Sequence, residues 1–312
     1  MFEVRRYTPD KTDVWNRFVA QSKNGTFLFD RCFMDYHADR FSDYSLMVYR
    51  DHTLYALLPA NIKDDVLVSH GGLTYGGLVM THKCSAKGVQ ESFRVINAFL
   101  RAEGICRVLY KAVPWIYHQQ PAEEDLYALT NICHARLVIR DISSSIIGNR
   151  RMKFSESRRS GIRKALRRGL IVKESTDFAA FWEILNTNLT SKYDVRPVHS
   201  VAELELLHGR FPENIRLFMV YDGEIPLGGT LLFLTPQVLH TQYISATPEG
   251  KACGAIDILF DEVINRRYCD YCYIDFGKST VSDSADLNEQ LIFQKEGFGA
   301  RAVCYDTYEY DL

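Results

Sequence analysis

One side chain suited to proton transfer and two suited to binding stand close together on one predicted strand. Residues 238–246 are rich in β-branched and aromatic side chains, which predicts a strand over this range. Successive side chains of a strand point to opposite faces, so His240, Gln242 and Ile244 are expected on one face. Histidine is the commonest general base, so His240 is a candidate catalytic residue, with Gln242 and Tyr243 as binding residues. The alternative is a strand whose polar side chains are satisfied within the protein.

A carboxylate and an ammonium follow on two further predicted elements. Asp275 ends a strand predicted over residues 271–276 and directly precedes Gly277. Ligands of α/β proteins collect at the carboxyl ends of strands, so Asp275 is either a base or a cap of the next turn. Lys295 lies on a helix predicted over residues 288–296, where a single lysine is usually a solvated surface charge.

A polar and aromatic segment covers residues 191–199, between two predicted helices. Connections between helices in compact domains are usually short, so this longer segment is a candidate lid that binds the acceptor. An ordinary surface loop is the alternative. The candidate binding residues of the segment are Lys192, Tyr193, Arg196 and His199.

A glycine-rich stretch covers residues 70–77, four of which are glycine. Glycines such as Gly71 and Gly72 allow a ligand or another backbone to approach closely, and the ring of Tyr75 is expected to stack on a sugar or a base. A bulged strand followed by a turn is the alternative. The spacing is not that of a dinucleotide or phosphate-binding loop, so no nucleotide motif is indicated.

Positive charge is concentrated in residues 150–169, which contain nine Lys or Arg and one Glu, a local net charge of +8. The whole chain has a net charge of −2, so the remainder carries about −10 by subtraction. Three hypotheses account for this run of charge: it binds the phosphates of RNA, it binds a smaller phosphorylated ligand, or it is a solvated surface without a ligand. It holds a single aromatic residue, Phe154, and therefore lacks the rings that stack on bases.

The same run predicts a helix that begins near Ser155. The helical period places Arg159, Arg163 and Arg167 on one stripe, where they are candidates to bind a phosphorylated substrate. The apolar positions of this helix, Ile162 and Leu166, are expected to pack inward.

Composition bounds the class of protein. The chain has 312 residues, is 46% hydrophobic and 24% charged, and has no apolar run near the ~18 residues of a membrane helix. This excludes membrane, disordered and collagen-like chains, and without a signal peptide the cytoplasm is expected. The eight cysteines are expected to be free thiols. Cys269 and Cys272 have the spacing of half a zinc site but no second pair, so no metal is expected.

An internal repeat relates the two halves. A shift of 172 residues places residues 47–49, Met-Val-Tyr, on the same tripeptide at 219–221, with five identities over about 24 residues. Each half predicts a hairpin, a third strand, a glycine-containing turn, a helix and a further strand. We therefore expect a first subdomain over residues 1–148, a basic connecting helix over 149–170 and a second subdomain over 171–312.

The element order resembles the core of GNAT acyltransferases, in which a turn between the fourth strand and the central helix holds the CoA pyrophosphate. Lys251 and Gly254 match part of that turn, but Ile256 stands where Gly or Ala is expected. The resemblance therefore implies weak binding of CoA at this turn.

The carboxyl-terminal part resembles the "YDFG … FKxGFG" ending of FemAB-like peptidyltransferases. The matching segments are residues 274–277, Ile-Asp-Phe-Gly, and residues 295–299, Lys-Glu-Gly-Phe-Gly. Those proteins also have a basic "S-x-x-R-R" segment after their first subdomain, as residues 155–165 are here. In this family the lysine of the motif lies near the reacting carbonyl, which implies that Lys295 stabilises an oxyanion or a substrate phosphate.

The resemblance implies an α/β (α+β) fold of two tandem GNAT-like mixed-sheet subdomains that share a cleft. It implies an N-acyltransferase that moves an acyl group from an acyl-CoA-like thioester to an amine on a sugar-linked or cell-envelope precursor. Two alternatives stay open: an aminoacyl-tRNA-dependent peptidyltransferase of the cell-wall type, and a catalytically silent binding module. The partners are then an amine acceptor and, in the first alternative, tRNA, with no insertion into a membrane and an undefined oligomeric state.

Overall fold

A computed structural model describes residues 1–193, 197–281 and 286–312, with side chains described outside residues 191–193. Two compact units divide the chain. Unit 1 comprises Met1–Asp141 and Cys304–Leu312, and unit 2 comprises Ile142–Val303. The expected boundaries at residues 148 and 170 stay a prediction, and the basic helix lies inside unit 2.

Unit 1 contains eight complete strands and four α-helices among its described residues. The strands are β1 (Phe2–Arg6), β2 (Ser42–Asp43), β3 (Leu46–Arg50), β4 (Thr53–Leu58), β5 (Asn61–Lys63), β6 (Val66–Val68), β7 (Val79–Met80) and β8 (Arg107–Lys111). The helices are α1 (Thr12–Ala20), α2 (Arg31–Met34), α3 (Ala86–Ala102) and α4 (Glu124–Asn131). Single 3₁₀ turns cover Pro9–Lys11, Phe27–Phe29, Asp35–His37 and Trp115–Tyr117.

A long strand, β9 (Arg136–Ile147), begins in unit 1 and ends in unit 2. The sequence predicted a strand only over residues 137–142, so the observed strand is five residues longer at its carboxyl end. The strands that follow are β10 (Ile171–Ser175), β11 (Ile215–Asp222), β12 (Ile225–Leu234), β13 (Val238–Ala246), β14 (Tyr273–Lys278) and β15 (Arg301–Asp311). The helices are α5 (Glu156–Arg168), α6 (Phe178–Tyr193), α7 (Val201–Arg210), α8 (Pro248–Cys253), α9 (Ala255–Glu262) and α10 (Glu289–Gly297). A 3₁₀ turn covers Gly148–Arg150, and a π-helical turn, Val263–Arg267, continues α9.

Unit 1 has two sheets packed on the amphipathic helix α3. The first has the order β1-β3-β4-β7, and the second contains β2, β5, β6, β8 and the end of β15, with β6 and β8 parallel. Ser85 caps α3 by accepting a hydrogen bond from the Gly88 amide, and the helix buries Phe93, Ile96 and Leu100, as its apolar period predicts.

Unit 2 has a mixed sheet in the order β10-β11-β12-β13-β14-β9. Neighbouring strands are antiparallel except β13 and β14, which are parallel and joined through α8 and α9. One face packs on α9, and the other carries the contact between Trp182 of α6 and Tyr243 of β13. This is the mixed sheet that the element order predicted.

The strand pairing repeats between the two units. The β3–β4 hairpin shifts register between Val48 and Tyr49, and the β11–β12 hairpin shifts between Val220 and Tyr221, which are the same positions after a shift of 172. In the parallel pairs, Leu67 faces Val108 in unit 1 as Leu239 faces Ile274 in unit 2. The two units therefore share one plan of strands.

Helix α5 approaches α9 closely through two glycines. A Cβ atom on Gly161 would lie 1.8 Å from Oδ2 of Asp257, and one on Gly254 would lie 2.3 Å from the carbonyl oxygen of Gly161. Ala165 of α5 is fully buried, whereas Leu166 is 54% exposed. The prediction that Leu166 packs inward is wrong, because the close glycine contact turns Ala165 toward α9 instead.

This contact predicts opposite effects for two helical glycines. We expect Gly161→Ala to lower the free energy of unfolding by roughly 1–3 kcal/mol, because the added methyl group overlaps the Asp257 side chain. Gly209→Ala, in α7 with open space around the added atom, is expected to raise it by up to about 1 kcal/mol. Urea unfolding of both variants measures this, and equal effects would contradict the packing argument.

Candidate active site

A histidine, an aspartate and a serine from three strands of unit 2 form one hydrogen-bonded group. Nδ1 of His240 on β13 lies 2.8 Å from Oδ2 of Asp275 on β14. The Ser143 hydroxyl on β9 donates to Oδ1 of Asp275 at 2.6 Å. Asp275 has no exposed surface and the His240 side chain is 10% exposed. With a carboxylate as its partner, Nδ1 is the donor, which leaves Nε2 as the basic nitrogen of the neutral ring.

Lys295, the third residue expected to be catalytic, orders the turn that follows Asp275. Its ammonium donates to the carbonyl oxygens of Gly277 at 2.7 Å and Lys278 at 2.9 Å, and to the Ser279 hydroxyl at 2.8 Å. Burial lowers the pKa of Lys295 to about 8, and the charge of Asp275 opposes that shift. The three N–H groups of the ammonium are thus matched by three oxygen acceptors of residues 277–279.

The turn brings a backbone without a side chain against the imidazole. Gly277 has φ +73°, a conformation that favours glycine, and a Cβ atom there would lie 3.3 Å from Cε1 of His240. Lys295 therefore holds the turn that places Gly277 against His240.

Strand β13 carries an extra residue at Gln242. Thr241 and Tyr243 pair with consecutive residues of β12, so Gln242 forms a β-bulge. The bulge reverses the alternation of faces, so Tyr243 lies on the face of His240 while Ile244 packs in the core. The predicted alternation is therefore wrong beyond Thr241.

The central strands separate next to the bulge. In the described pairing, β14 pairs with β13 only up to His240 and Asp275, and Gln242 has no partner on either neighbouring strand. The group around His240 therefore lies where the sheet opens.

The candidate lid contributes one described residue to this face. Nδ1 of His199 lies 2.8 Å from the Tyr243 hydroxyl, which also hydrogen-bonds the side chain of Gln242. The ring of Trp182 packs edge-on against Tyr243 at 5.1 Å between centroids. The other predicted lid side chains, Lys192, Tyr193 and Arg196, lie outside the described residues.

The glycine-rich candidates belong to the interior of unit 1. Tyr75 is 2% exposed, and its ring packs against Tyr117 at 4.5 Å, so stacking on a sugar or base is a wrong prediction. A Cβ atom on Gly72 would lie 2.2 Å from Nε2 of His37, and the Gly71 amide donates to Oδ1 of Asn61. The close approach that these glycines allow is therefore made by the protein's own side chains.

The basic helix α5 places its arginines at the predicted spacing, and ion pairs neutralise part of its charge. Arg159 and Arg163 share Glu156 at 2.8 and 2.6 Å. Arg168 pairs with Asp222 and Glu249, and Arg158 with Asp257. Arg167, the third residue of the predicted stripe, lies exposed on the same helix.

The amino end of α9, where the resemblance placed a pyrophosphate turn, is covered. Gly254 contacts the backbone of Gly161, and Ala255 and Ile256 are buried. Asp257 adds a carboxylate to the first turn, bonded to Nη1 of Arg158 at 2.8 Å. A pyrophosphate at this helix end would meet both the backbone of α5 and an acidic side chain.

The segments that carried the resemblance contact one another. The Ser155 amide donates to the carbonyl oxygen of Gly297 at 2.8 Å, and the Arg158 guanidinium lies 5.3 Å from the centroid of the Phe298 ring. Phe298 in turn stacks on Phe276, which directly follows Asp275. The motif is therefore a packing unit that fixes the end of β14.

Sequence reasoning missed Ser143. It lies in the run Ser143-Ser144-Ser145 of a strand that is otherwise rich in apolar side chains, and all three serines are buried. Three buried hydroxyls in one strand were the available signal. Within the described residues, no group of three metal-ligating side chains is close enough to hold a metal ion, and no helix is long and apolar enough to cross a membrane.

The buried lysine predicts a pH-dependent stability. Because the pKa of Lys295 is about 8 in the folded chain and 10.5 as the ordinary value, the unfolded chain holds a proton that the folded chain releases between these limits. The free energy of unfolding is therefore expected to rise with pH over this window, by at most about 3 kcal/mol. Urea unfolding at pH 7.5 and 9.5 measures the rise, which Lys295→Met should abolish and exposed Lys278→Met should retain.

Comparisons with known proteins give a family match for part of the chain and a shared fold for the whole of it. Residues 152–283 match the family model described as an acetyltransferase (GNAT) domain. No curated protein sequence matches the chain. The crystal structure of FemX superposes with a TM-score of 0.69 at 13% identity, over 99% of this chain and 97% of that chain.

Two further solved structures share the fold. The carboxyl-terminal domain of a putative lysylphosphatidylglycerol synthetase from Agrobacterium fabrum gives a TM-score of 0.62 at 10% identity, over 96% of this chain and 91% of that chain. A tandem GNAT protein from the clavulanic acid biosynthesis pathway gives 0.54 at 10% identity, over 100% and 98%. Residues 152–283 thus match an acetyltransferase (GNAT) domain, and the chain as a whole shares its fold with FemX and with a tandem GNAT protein.

Proposed function

We propose that the chain is a cytoplasmic N-acyltransferase that acts on an amine of a sugar-linked or cell-envelope precursor. The observation that carries the proposal is the buried Asp275–His240 pair at the point where β13 and β14 separate. The fold shared with FemX and with a putative lysylphosphatidylglycerol synthetase supports an acceptor of the cell envelope.

His240 serves as the general base in this proposal. The amine nitrogen attacks the acyl carbonyl carbon, a C–N bond forms, and Nε2 of His240 takes the proton that the nitrogen loses. Asp275 holds the ring through Nδ1 and stabilises the imidazolium. The bond from the carbonyl carbon to the leaving sulfur or oxygen then breaks, and the imidazolium returns the proton to that leaving atom.

The carbonyl oxygen of the acyl group is held by the opened strand in this proposal. The Gln242 backbone amide at the bulge is the candidate donor, because neither neighbouring strand pairs with it in the described sheet. Lys295 supports the site by ordering residues 277–279, since its three hydrogen bonds lie within that turn. Its positive charge is a candidate to oppose the charge of an oxyanion.

The donor is either an acyl thioester or an aminoacyl ester of tRNA. The covered amino end of α9 favours the aminoacyl ester, because it removes the helix end at which a CoA pyrophosphate would bind. The exposed stripe of Arg159, Arg163 and Arg167 then offers positive charge to the phosphates of that donor or of a phosphorylated acceptor.

The role of His240 is tested by kinetics once a substrate is found. Thermal-shift screening with acyl-CoAs, nucleotide sugars and aminoacyl-tRNA identifies ligands by the rise in Tm. With the substrates so found, His240→Gln should lower kcat/KM by roughly 10²–10⁴-fold, because glutamine cannot accept the proton. His82→Gln, an exposed histidine of unit 1, is the control and should keep full activity. Unchanged kcat/KM in His240→Gln would overturn its role as the general base, whereas ligands that bind without any turnover by the unmodified chain would point to the silent binding module.

The donor is tested by calorimetry. Acetyl-CoA is expected to bind with a Kd weaker than micromolar, because the backbone of Gly161 and the carboxylate of Asp257 occupy the amino end of α9. Asp257→Asn should not improve binding, since the backbone contact remains. A sub-micromolar Kd, about −8 kcal/mol or tighter, would show that CoA binds well by another route and is the donor class.

A further inference from the structure

The Asp275 carboxylate is shared between two partners on opposite sides of β14. One oxygen faces His240 on β13 and the other accepts from Ser143 on β9 at 2.6 Å. Asp275 and Ser143 have no exposed surface, so no bulk water competes for either bond. The serine is therefore placed to fix the carboxylate in the plane that the imidazole requires.

An irregularity in the pairing of β14 and β9 creates this contact. Asp275 is paired with Ser145 across the strands, and the register then shifts so that Lys278 pairs with Ser143. The shift coincides with the left-handed residue Gly277, whose turn Lys295 holds. The hydroxyl of Ser143 thereby reaches the carboxylate of a residue that is not its pairing partner.

We propose that Ser143 is a positioning residue for acyl transfer, which acts through Asp275 to set the orientation and basicity of His240. The inference rests on the proposed function. A neutral hydroxyl orients the carboxylate and leaves its charge available to the imidazolium, whereas a cation in this place would neutralise it. Two titratable groups that face Asp275 are His240 on β13 and Lys295 on α10, and Lys295 stays protonated below its pKa of about 8.

Ser143→Ala tests the inference. Removal of the hydroxyl leaves a buried carboxylate oxygen without this donor, so kcat should fall roughly tenfold. The carboxylate then attracts the imidazole proton more strongly, so the acid limb of kcat/KM should move to higher pH. Asp275→Asn should move the same limb to lower pH, because it removes the charge that stabilises the imidazolium.

A matched control lies on the same strand. Ser144 is 1% exposed, and its hydroxyl has no hydrogen-bond partner among the described residues. Ser144→Ala removes the same atom from the adjacent position without touching Asp275, so both kcat and the pH profile should stay unchanged. Equal losses in Ser143→Ala and Ser144→Ala would reduce Ser143 to a structural residue and overturn the inference.

Nuclear magnetic resonance separates this inference from the reaction itself. The pH at which the ring signals of His240 titrate should rise in Ser143→Ala, and this readout needs no substrate. If the titration of His240 does not move in Ser143→Ala, the proposed role of Ser143 is overturned even if the enzyme is active. If the titration moves but His240→Gln keeps full activity, only the proposed role of His240 in the reaction is overturned. If Ser143→Ala does not fold, Ser143→Cys gives the same readout, with a smaller rise because a thiol is a weaker donor.

Discussion

A carboxylate that has no contact with solvent must be given partners, and Asp275 is that carboxylate in unit 2. An unpaired buried charge costs several kcal/mol, so the strands beside β14 must supply donors at this place. His240 comes from one side and Ser143 from the other, while Lys295 places a positive charge nearby. The mixed sheet supplies donors from β13 and β9, and this constraint links the catalytic candidates to the order of strands.

The requirement also explains why the sequence motifs at the two ends of unit 2 occur together. Asp275 is followed by Phe276, which stacks on Phe298, and Phe298 lies beneath the Arg158 guanidinium. The Ser155 amide completes this packing at Gly297. The basic segment therefore packs against the residues that hold Asp275 in place. Its ion pairs and glycine contacts with α9 occupy the place at which the GNAT resemblance implied a pyrophosphate.

The sequence predicted the mixed sheet, the repeat and three residues that the structure brings into one region. His240 and Asp275 could be found from their types and their places on predicted strands. Lys295 could be found only through the resemblance, because a single lysine on a helix is usually a solvated surface charge. Burial could not be read from local pattern, so Tyr75 was expected at a surface and lies in a core. The bulge at Gln242 and the pairing that brings Ser143 to Asp275 depend on register between distant strands, which no local period encodes.

The repeat shows what distinguishes the two units chemically. A shift of 172 residues places His240 on Val68, and the parallel partner of Val68 is Leu109, in the place that Asp275 has in unit 2. Valine and leucine side chains pack in a sheet without needing a hydrogen-bond partner. Unit 1 therefore has the same plan of strands but lacks the acid–base pair at this position. Within the described residues, the His240–Asp275 pair to which we assign proton transfer therefore lies in unit 2. The two units thus share one plan of strands, while the Asp275 carboxylate and its partners His240, Ser143 and Lys295 occur in unit 2.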